Sequence, residues 1–66
     1  MKYYSTQRPV MPGSYPNPQG NQIREICNFD QRTYCNEISR EAWGYIEYAE
    51  PLAPSAVSNY ELTAAQ

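Results

Sequence analysis

The sequence predicts a mainly β (α+β) fold: a small antiparallel sheet of three or four strands with a Pro/Gly-rich loop and a short C-terminal helix. The first observation is the densest apolar and aromatic run, Ala42–Ala49, which alternates with period two and is closed by Pro51. The second is a series of shorter β-prone runs between turn-forming residues: Lys2–Val10, Gln22–Phe29 and Thr33–Ile38. A chain of 66 residues is expected to form one small domain, residues 1–66.

The run Ala42–Ala49 is predicted to be the central strand, against which the other elements pack. Period two separates its side chains into two faces, one with Trp43, Tyr45 and Glu47, the other with Ala42, Gly44, Ile46 and Tyr48. The sequence leaves open which face is buried, because Trp43 is both the largest core candidate and the best binding candidate. Gly44 inside a strand indicates a bulge or the close approach of another backbone or a ligand.

The first strand, Lys2–Val10, is expected to stop where Pro9 cannot donate to the ladder. Residues 9–20 form the predicted Pro/Gly-rich loop, since their density of proline and glycine excludes both helix and strand. A loop of this length is either disordered or functional, and Met11 and Tyr15 are its expected anchors onto the core or a partner.

The middle of the chain is predicted to form a hairpin whose strands, Gln22–Phe29 and Thr33–Ile38, flank a turn at residues 30–32. That register places Cys27 directly opposite Cys35. We expect two reduced thiols there, with a redox switch as the alternative. A competing interpretation is a helix over residues 31–43, because apolar residues also recur at three- or four-residue spacing.

The C-terminal part is predicted to hold a turn, a short helix and a tail. Residues 39–41 are expected to turn into the central strand, and Pro54 suits the first position of a helix of one or two turns within residues 53–62. Residues 63–66 are expected to fray.

Composition argues against several classes of protein. Five Lys and Arg against seven Asp and Glu give a net charge of −2, which does not favour a nonspecific grip on a nucleic-acid backbone. The chain contains no histidine, so the usual zinc sites and Ser or Cys nucleophile–base pairs are not predicted. We therefore expect a non-enzymatic protein without a cofactor or metal. Met1 and Lys2 precede polar residues rather than an apolar stretch, which predicts no signal peptide or membrane span and a cytoplasmic location.

Aromatic and arginine side chains are the candidate binding residues, because these types dominate binding hot spots. The candidates are Arg8, Tyr15, Arg40, Trp43 and Tyr45. So short a chain also has little material for a core, which favours a homo-oligomer or an obligate partner.

Several segments carry a family resemblance: Lys2–Val10, Pro12-Gly13, Asn28–Asp30, and Arg40–Tyr48 followed by Pro51-Leu52. Over nearly its whole length the chain resembles a family of small proteins from phages and conjugative elements of Gram-positive gut bacteria. The resemblance implies a mobile-element accessory protein that inhibits host defence or regulates by binding, and it assigns no role to any residue.

The leading hypothesis is an accessory protein that binds a host protein and inhibits a bacterial defence system, of the anti-CRISPR or anti-restriction type. One alternative is a small nucleotide- or nucleic-acid-binding module, in which aromatic rings stack on bases and arginines meet phosphates. Another is a structural subunit of a homo-oligomer.

Overall fold

The fold is a four-stranded antiparallel sheet with a short helix near the C-terminus, as predicted. A computed structural model describes residues 1–65. In chain order the elements are β1 (Lys2–Ser5), β2 (Ile23–Cys35), β3 (Arg40–Tyr48), α1 (Pro54–Asn59) and β4 (Leu62–Ala64). The strands lie in the order β2-β3-β1-β4, so β3 is central and β2 and β4 form the two edges.

One face of β3 supplies the centre of the core. Ile46 and Tyr48 have no exposed surface, and they pack in one cluster with Tyr3, Val10 and Leu62. Because side chains alternate along a strand, Trp43, Tyr45 and Glu47 lie on the opposite face and are only half-buried. The structure thus decides which face of the predicted central strand is inward.

The predicted hairpin around residues 30–32 is wrong, and so is the alternative helix over residues 31–43. β2 continues through this region and pairs with β3 across a turn after Cys35, closed by the Ile38 amide donating to the Cys35 carbonyl at 3.2 Å. Residues 29–32 instead belong to β2, and the register of β2 with β3 shifts between Asn28 and Thr33. Extra residues on one strand bend it without ending it.

The two cysteines are consequently not paired with each other. Cys27 lies opposite Tyr45 and Cys35 opposite Arg40, and both are free thiols. The same hairpin places Arg40 and Glu41 inside β3, so the predicted turn over residues 39–41 comes earlier, where Ser39 takes the left-handed conformation with φ 56°.

Both ends of the chain also differ from the prediction. β1 ends at Ser5 rather than Val10, since the Ser5 hydroxyl donates to the Arg8 carbonyl at 2.5 Å and the chain turns there. The predicted frayed tail is wrong for residues 63–65. Thr63 and Ala64 belong to β4, which pairs with β1, and the Ala65 amide donates to the Lys2 carbonyl at 2.9 Å. Gln66 lies outside the described residues.

The Pro/Gly-rich loop packs against the core. Its start is held by Asn28, whose side chain bonds both backbone groups of Val10, and the following segment is held by Asn21, which bonds Glu50 in the same way. Between them the Tyr48 hydroxyl donates to the Pro16 carbonyl at 2.5 Å. These bonds and the half-buried Tyr15 give the loop a defined path, with Tyr15 as the predicted core anchor.

The molecule is as compact as its mass allows. Its accessible surface is 4284 Å², close to the roughly 4,300 Å² that surface scaling gives for a compact protein of this mass. The accessible surface is therefore that expected of a compact chain of this mass. Among residues 1–65, no helix has the length and hydrophobicity that crossing a membrane requires.

Candidate functional site

The half-buried side of the sheet is the candidate binding surface. Trp43, Tyr45 and Glu47 of β3 lie on it, and the antiparallel register adds Tyr4 opposite Tyr45 and Lys2 opposite Glu47. We call these five side chains the aromatic face; among them Tyr4 is only 3% exposed and belongs to a second buried cluster, against which Tyr45 packs. On this side of β3 the side chains of Trp43 and Tyr45 reach solvent, whereas Ile46 and Tyr48 on the other side are buried.

Tyr45 is the centre of this face. Its ring centroid lies 5.6 Å from that of Tyr4 and 6.2 Å from that of Phe29, both in tilted arrangements that favour contact between ring edges and faces. The Lys2 ammonium lies 4.3 Å from the Tyr45 ring centroid, within cation–π distance. Contacts on three sides fix the ring, so it is a pre-ordered surface feature with little rotamer entropy left to lose on binding.

Charged groups on the face form a row across three strands. Lys2 of β1 lies opposite Glu47 of β3, and Glu47 lies opposite Glu25 of β2. The row therefore reads positive, negative, negative from β1 to β2, and its net charge is −1. An anionic phosphate is disfavoured here, whereas a positively charged partner surface is favoured.

Two phenols on the face stay protonated far above neutral pH. Burial, followed by the hydrogen bond to the Glu25 carboxylate, raises the pKa of Tyr45 to about 12. Burial, followed by the hydrogen bond to the Glu37 carboxylate, raises the pKa of Tyr4 to about 12. Their hydroxyls are therefore hydrogen-bond donors and not nucleophiles.

Cys35 and the acidic side chains are the remaining groups to consider for covalent or metal chemistry. Burial, together with the nearby Glu37 charge, raises the pKa of the Cys35 thiol and keeps it in its unreactive protonated form. The carboxyl pKa of Glu37 is lowered, first by its own backbone N–H and then by Tyr4. Within residues 1–65, acidic and cysteine side chains do not gather into a group of three or more able to hold a metal ion.

The five predicted binding residues fall in three separate places. Trp43 and Tyr45 share the aromatic face, as the period-two pattern of β3 predicts. Arg40 is exposed at the start of β3, opposite Cys35. Tyr15 packs against the core. Neither of the predicted arginines, Arg8 and Arg40, belongs to the aromatic face; the positive charge next to Tyr45 is Lys2.

Arg8 lies apart from the face and lines a shallow groove of about 460 Å³. Its guanidinium forms an ion pair with Glu61, whose backbone is left-handed with φ 54°. The remaining lining residues come from the loop and the end of α1: Met11, Pro12, Gly13, Ser14, Asn59 and Tyr60. Because the arginine is already neutralised by Glu61, the groove lacks a free charge with which to select an anionic ligand.

Sequence reasoning missed Lys2 and Tyr4 as parts of the face, and Phe29 as a neighbour of its Tyr45. The alternation of Lys2 and Tyr4 in β1 places them on one side of that strand, a signal present in the sequence. Which residues Lys2 and Tyr4 meet depends on the pairing of β1 with β3, whose partners are 39 to 45 positions apart in the sequence.

Fold and site together define a small, mainly β protein whose antiparallel sheet has one buried face and one half-exposed aromatic face. A family model described as "defence against restriction A C-terminal" matches residues 1–66, and the chain belongs to this family. No curated protein and no solved structure matches the chain. Family membership supports an anti-restriction role, in keeping with the resemblance to mobile-element proteins. The anti-CRISPR alternative and the origin in gut bacteria stay predictions.

Proposed function

We propose that this chain counteracts a bacterial restriction system by binding a protein component of that system through the aromatic face. The single observation that carries the proposal is that Trp43 and Tyr45 lie partly exposed on one side of β3, while Ile46 and Tyr48 on its other side are fully buried in the core. Tryptophan and tyrosine in a fixed arrangement are the residues that most often dominate a protein interface.

Charge favours a protein over a nucleic acid as the partner. The chain carries a net charge of −2, and the row Lys2, Glu47, Glu25 adds no excess positive charge to the face. Restriction enzymes must grip DNA and therefore present positively charged surfaces. An acidic protein with an aromatic centre complements such a surface, both in charge and in apolar contact.

The proposed action is occupancy of the partner, without catalysis, in the cytoplasm where restriction takes place. The protonated Tyr45 phenol fits this role, since it supplies contact area and a hydrogen-bond donor. No cofactor or metal enters the proposal.

Binding to purified restriction subunits tests the proposal, with Trp43 as the reporter because it is the chain's single tryptophan. We expect one stoichiometric complex and a change in tryptophan emission on binding. The variants Trp43→Ala and Tyr45→Ala should each raise the Kd, measured for both by titration calorimetry because Trp43→Ala removes the reporter, by roughly thirtyfold or more, corresponding to about 2 kcal/mol for a hot-spot residue.

The matched control is Met11→Ala, which removes an exposed apolar side chain from the groove and leaves the aromatic face intact. We expect its Kd to stay within about twofold of the original. Binding that survives both aromatic substitutions would refute the role of the face. Tight binding to DNA in place of any restriction subunit would refute the proposal as a whole.

A further inference from the structure

The outer edge of β2 is long and unpaired in the described chain. β2 has 13 residues, pairs with β3 on one side, and forms the end of the sheet on the other. Most of its side chains are exposed, and its outward backbone N–H and C=O groups have no neighbouring strand among residues 1–65. Such an edge is a ready template for another strand.

An apolar row of the sheet ends uncovered at this edge. Tyr3 of β1, Ile46 of β3 and Ile26 of β2 lie opposite one another across three strands. Tyr3 is 3% exposed and Ile46 is 0% exposed, but Ile26 is 44% exposed. An apolar side chain on a further strand next to β2 would therefore cover Ile26.

The charged row also ends at this edge, with Glu25 as its last side chain. It runs Lys2, Glu47, Glu25, and the two glutamates lie directly opposite each other, a like-charge pair that destabilises a sheet. A positive side chain beyond Glu25 would offset that repulsion. A strand paired with this edge would therefore be stabilised by an apolar residue opposite Ile26 and a basic residue opposite Glu25.

β2 itself contains an apolar residue, Ile23, and a basic residue, Arg24, at positions that meet this requirement. Its register with β3 shifts between Ile23 and Glu25, so Arg24 is an extra residue, and Ile23 and Ile26 lie on the same face of the sheet. In a regular strand residues three apart point to opposite faces, and they cannot oppose each other across a symmetric antiparallel pair. The bulge at Arg24 places Ile23 and Ile26 on the same face, so these two residues can oppose each other in such a pair.

We propose that the free edge of β2 docks a second copy of this chain, antiparallel, with Arg24 of each copy opposite Glu25 of the other and Ile23 opposite Ile26. By the two-fold symmetry this register forms two opposite-charge pairs and two isoleucine pairs. The result is an eight-stranded sheet, from two sheets of four strands, with both aromatic faces on the same side. The docking does not depend on what the aromatic face binds.

Charge reversal at the edge tests the register. Arg24 and Glu25 are both exposed, so R24E and E25R should fold, which circular dichroism checks. Each variant alone places like charges opposite each other twice, and we expect the Kd of the dimer, measured by sedimentation, to rise about tenfold. When R24E and E25R are mixed, opposite charges meet again and the mixture should return to a dimer.

The double variant R24E/E25R should also dimerise like the original chain, because each new glutamate faces a new arginine. R40E, at an exposed position of β3 away from the edge, is the control for net charge and should leave the Kd unchanged. A chain that is monomeric at every concentration would overturn the proposal. So would R24E and E25R variants that dimerise no better when mixed than alone.

Discussion

Two asparagine side chains fix the course of the Pro/Gly-rich loop. The Asn28 carboxamide accepts from the Val10 amide at 2.9 Å and donates to the Val10 carbonyl at 2.5 Å. Asn21 makes the same pair of bonds with Glu50, both at 2.8 Å. A carboxamide carries one acceptor and one donor side by side, so it replaces the backbone of a neighbouring strand. Asparagine therefore supplies pairing where the prolines of the loop exclude a ladder.

Replacing Asn28 with aspartate should destabilise the fold by about 1–2 kcal/mol, because the carboxylate keeps the acceptor but turns a second acceptor toward the Val10 carbonyl. Urea unfolding measures the change. Asn21→Asp is the matched control, since its hydrogen bonds are exposed and water replaces them. Equal losses in the two variants would contradict the argument.

Gly44 lies where the β2–β3 pair and the loop come closest. A Cβ atom there would overlap the carbonyl oxygen of Cys27 and lie 3.1 Å from both the Asn28 Cα and a Val10 methyl. The glycine inside the central strand was expected to mark such a close approach, and the structure confirms it. Backbone on one side and a buried side chain on the other leave no room for relaxation.

Gly44→Ala should accordingly lower the free energy of unfolding by about 3 kcal/mol, at the upper end of overpacking effects. Gly20→Ala is the comparison: its φ of +84° disfavours a side chain, but nothing lies within 4 Å of the new Cβ. That variant should lose only about 1 kcal/mol. A Gly44→Ala variant no less stable than Gly20→Ala would show that the strand pair can separate at no cost.

The elements differ in how far local sequence determines them. β3 was predictable because its alternation and the closing Pro51 are local signals, and α1 because Pro54 suits a helix start. β2 was predicted in two pieces, because residues typical of turns can also form a bulge, and only pairing with β3 decides between them. β4 was missed since three residues carry no period, and its partner β1 is distant in sequence.

The same distinction holds for the candidate site. Trp43 and Tyr45 share a face through alternation within one strand, which the sequence contains. The contacts of Tyr45 with Lys2 and Phe29 require three strands in a specific register. A single sequence does not specify that register, because β1 and β3 are distant in the chain and the register between β2 and β3 shifts twice.

β4 contributes to stability although it is short. Leu62 is buried in the main core cluster, and its strand covers the outer edge of β1. Leu62→Ala should therefore cost about 3 kcal/mol, as other buried leucines do. Thr63→Ala, in the same strand but with a half-buried side chain, should cost less than about 1 kcal/mol. If the C-terminal segment frayed, both variants would match the original chain in urea unfolding.

At the scale of the whole molecule, tyrosine takes much of the place that aliphatic residues occupy in larger cores. Tyr3, Tyr4 and Tyr48 are all buried, and each hydroxyl has a hydrogen-bond partner, which for Tyr4 is Glu37. Tyr48 donates to the Pro16 carbonyl and Tyr3 accepts from the Leu52 amide at 2.9 Å. Within the described residues, buried side-chain nitrogen and oxygen atoms all have partners. An aromatic core thus remains compact without unsatisfied polar groups.

This composition makes the fold sensitive to alkali. Burial is the first cause that raises the pKa values of Tyr4, Tyr45 and Tyr48 from 10.0 to about 12. The unfolded chain then loses its phenolic protons at lower pH than the folded chain. Stability from this source is complete below pH 10 and is lost as the pH rises through 12.

Thermal unfolding followed at a series of pH values should show a melting temperature that is unaffected by these phenols below pH 10 and falls steeply between pH 10 and 12. Tyr45→Phe removes one of the three phenols, so the slope should decrease by about a third. Tyr34→Phe, at a position that is 59% exposed, is the control and should keep the original slope. A melting temperature that stays constant to pH 12 would mean that phenolate forms in the folded core without penalty, against the burial of Tyr4 and Tyr48.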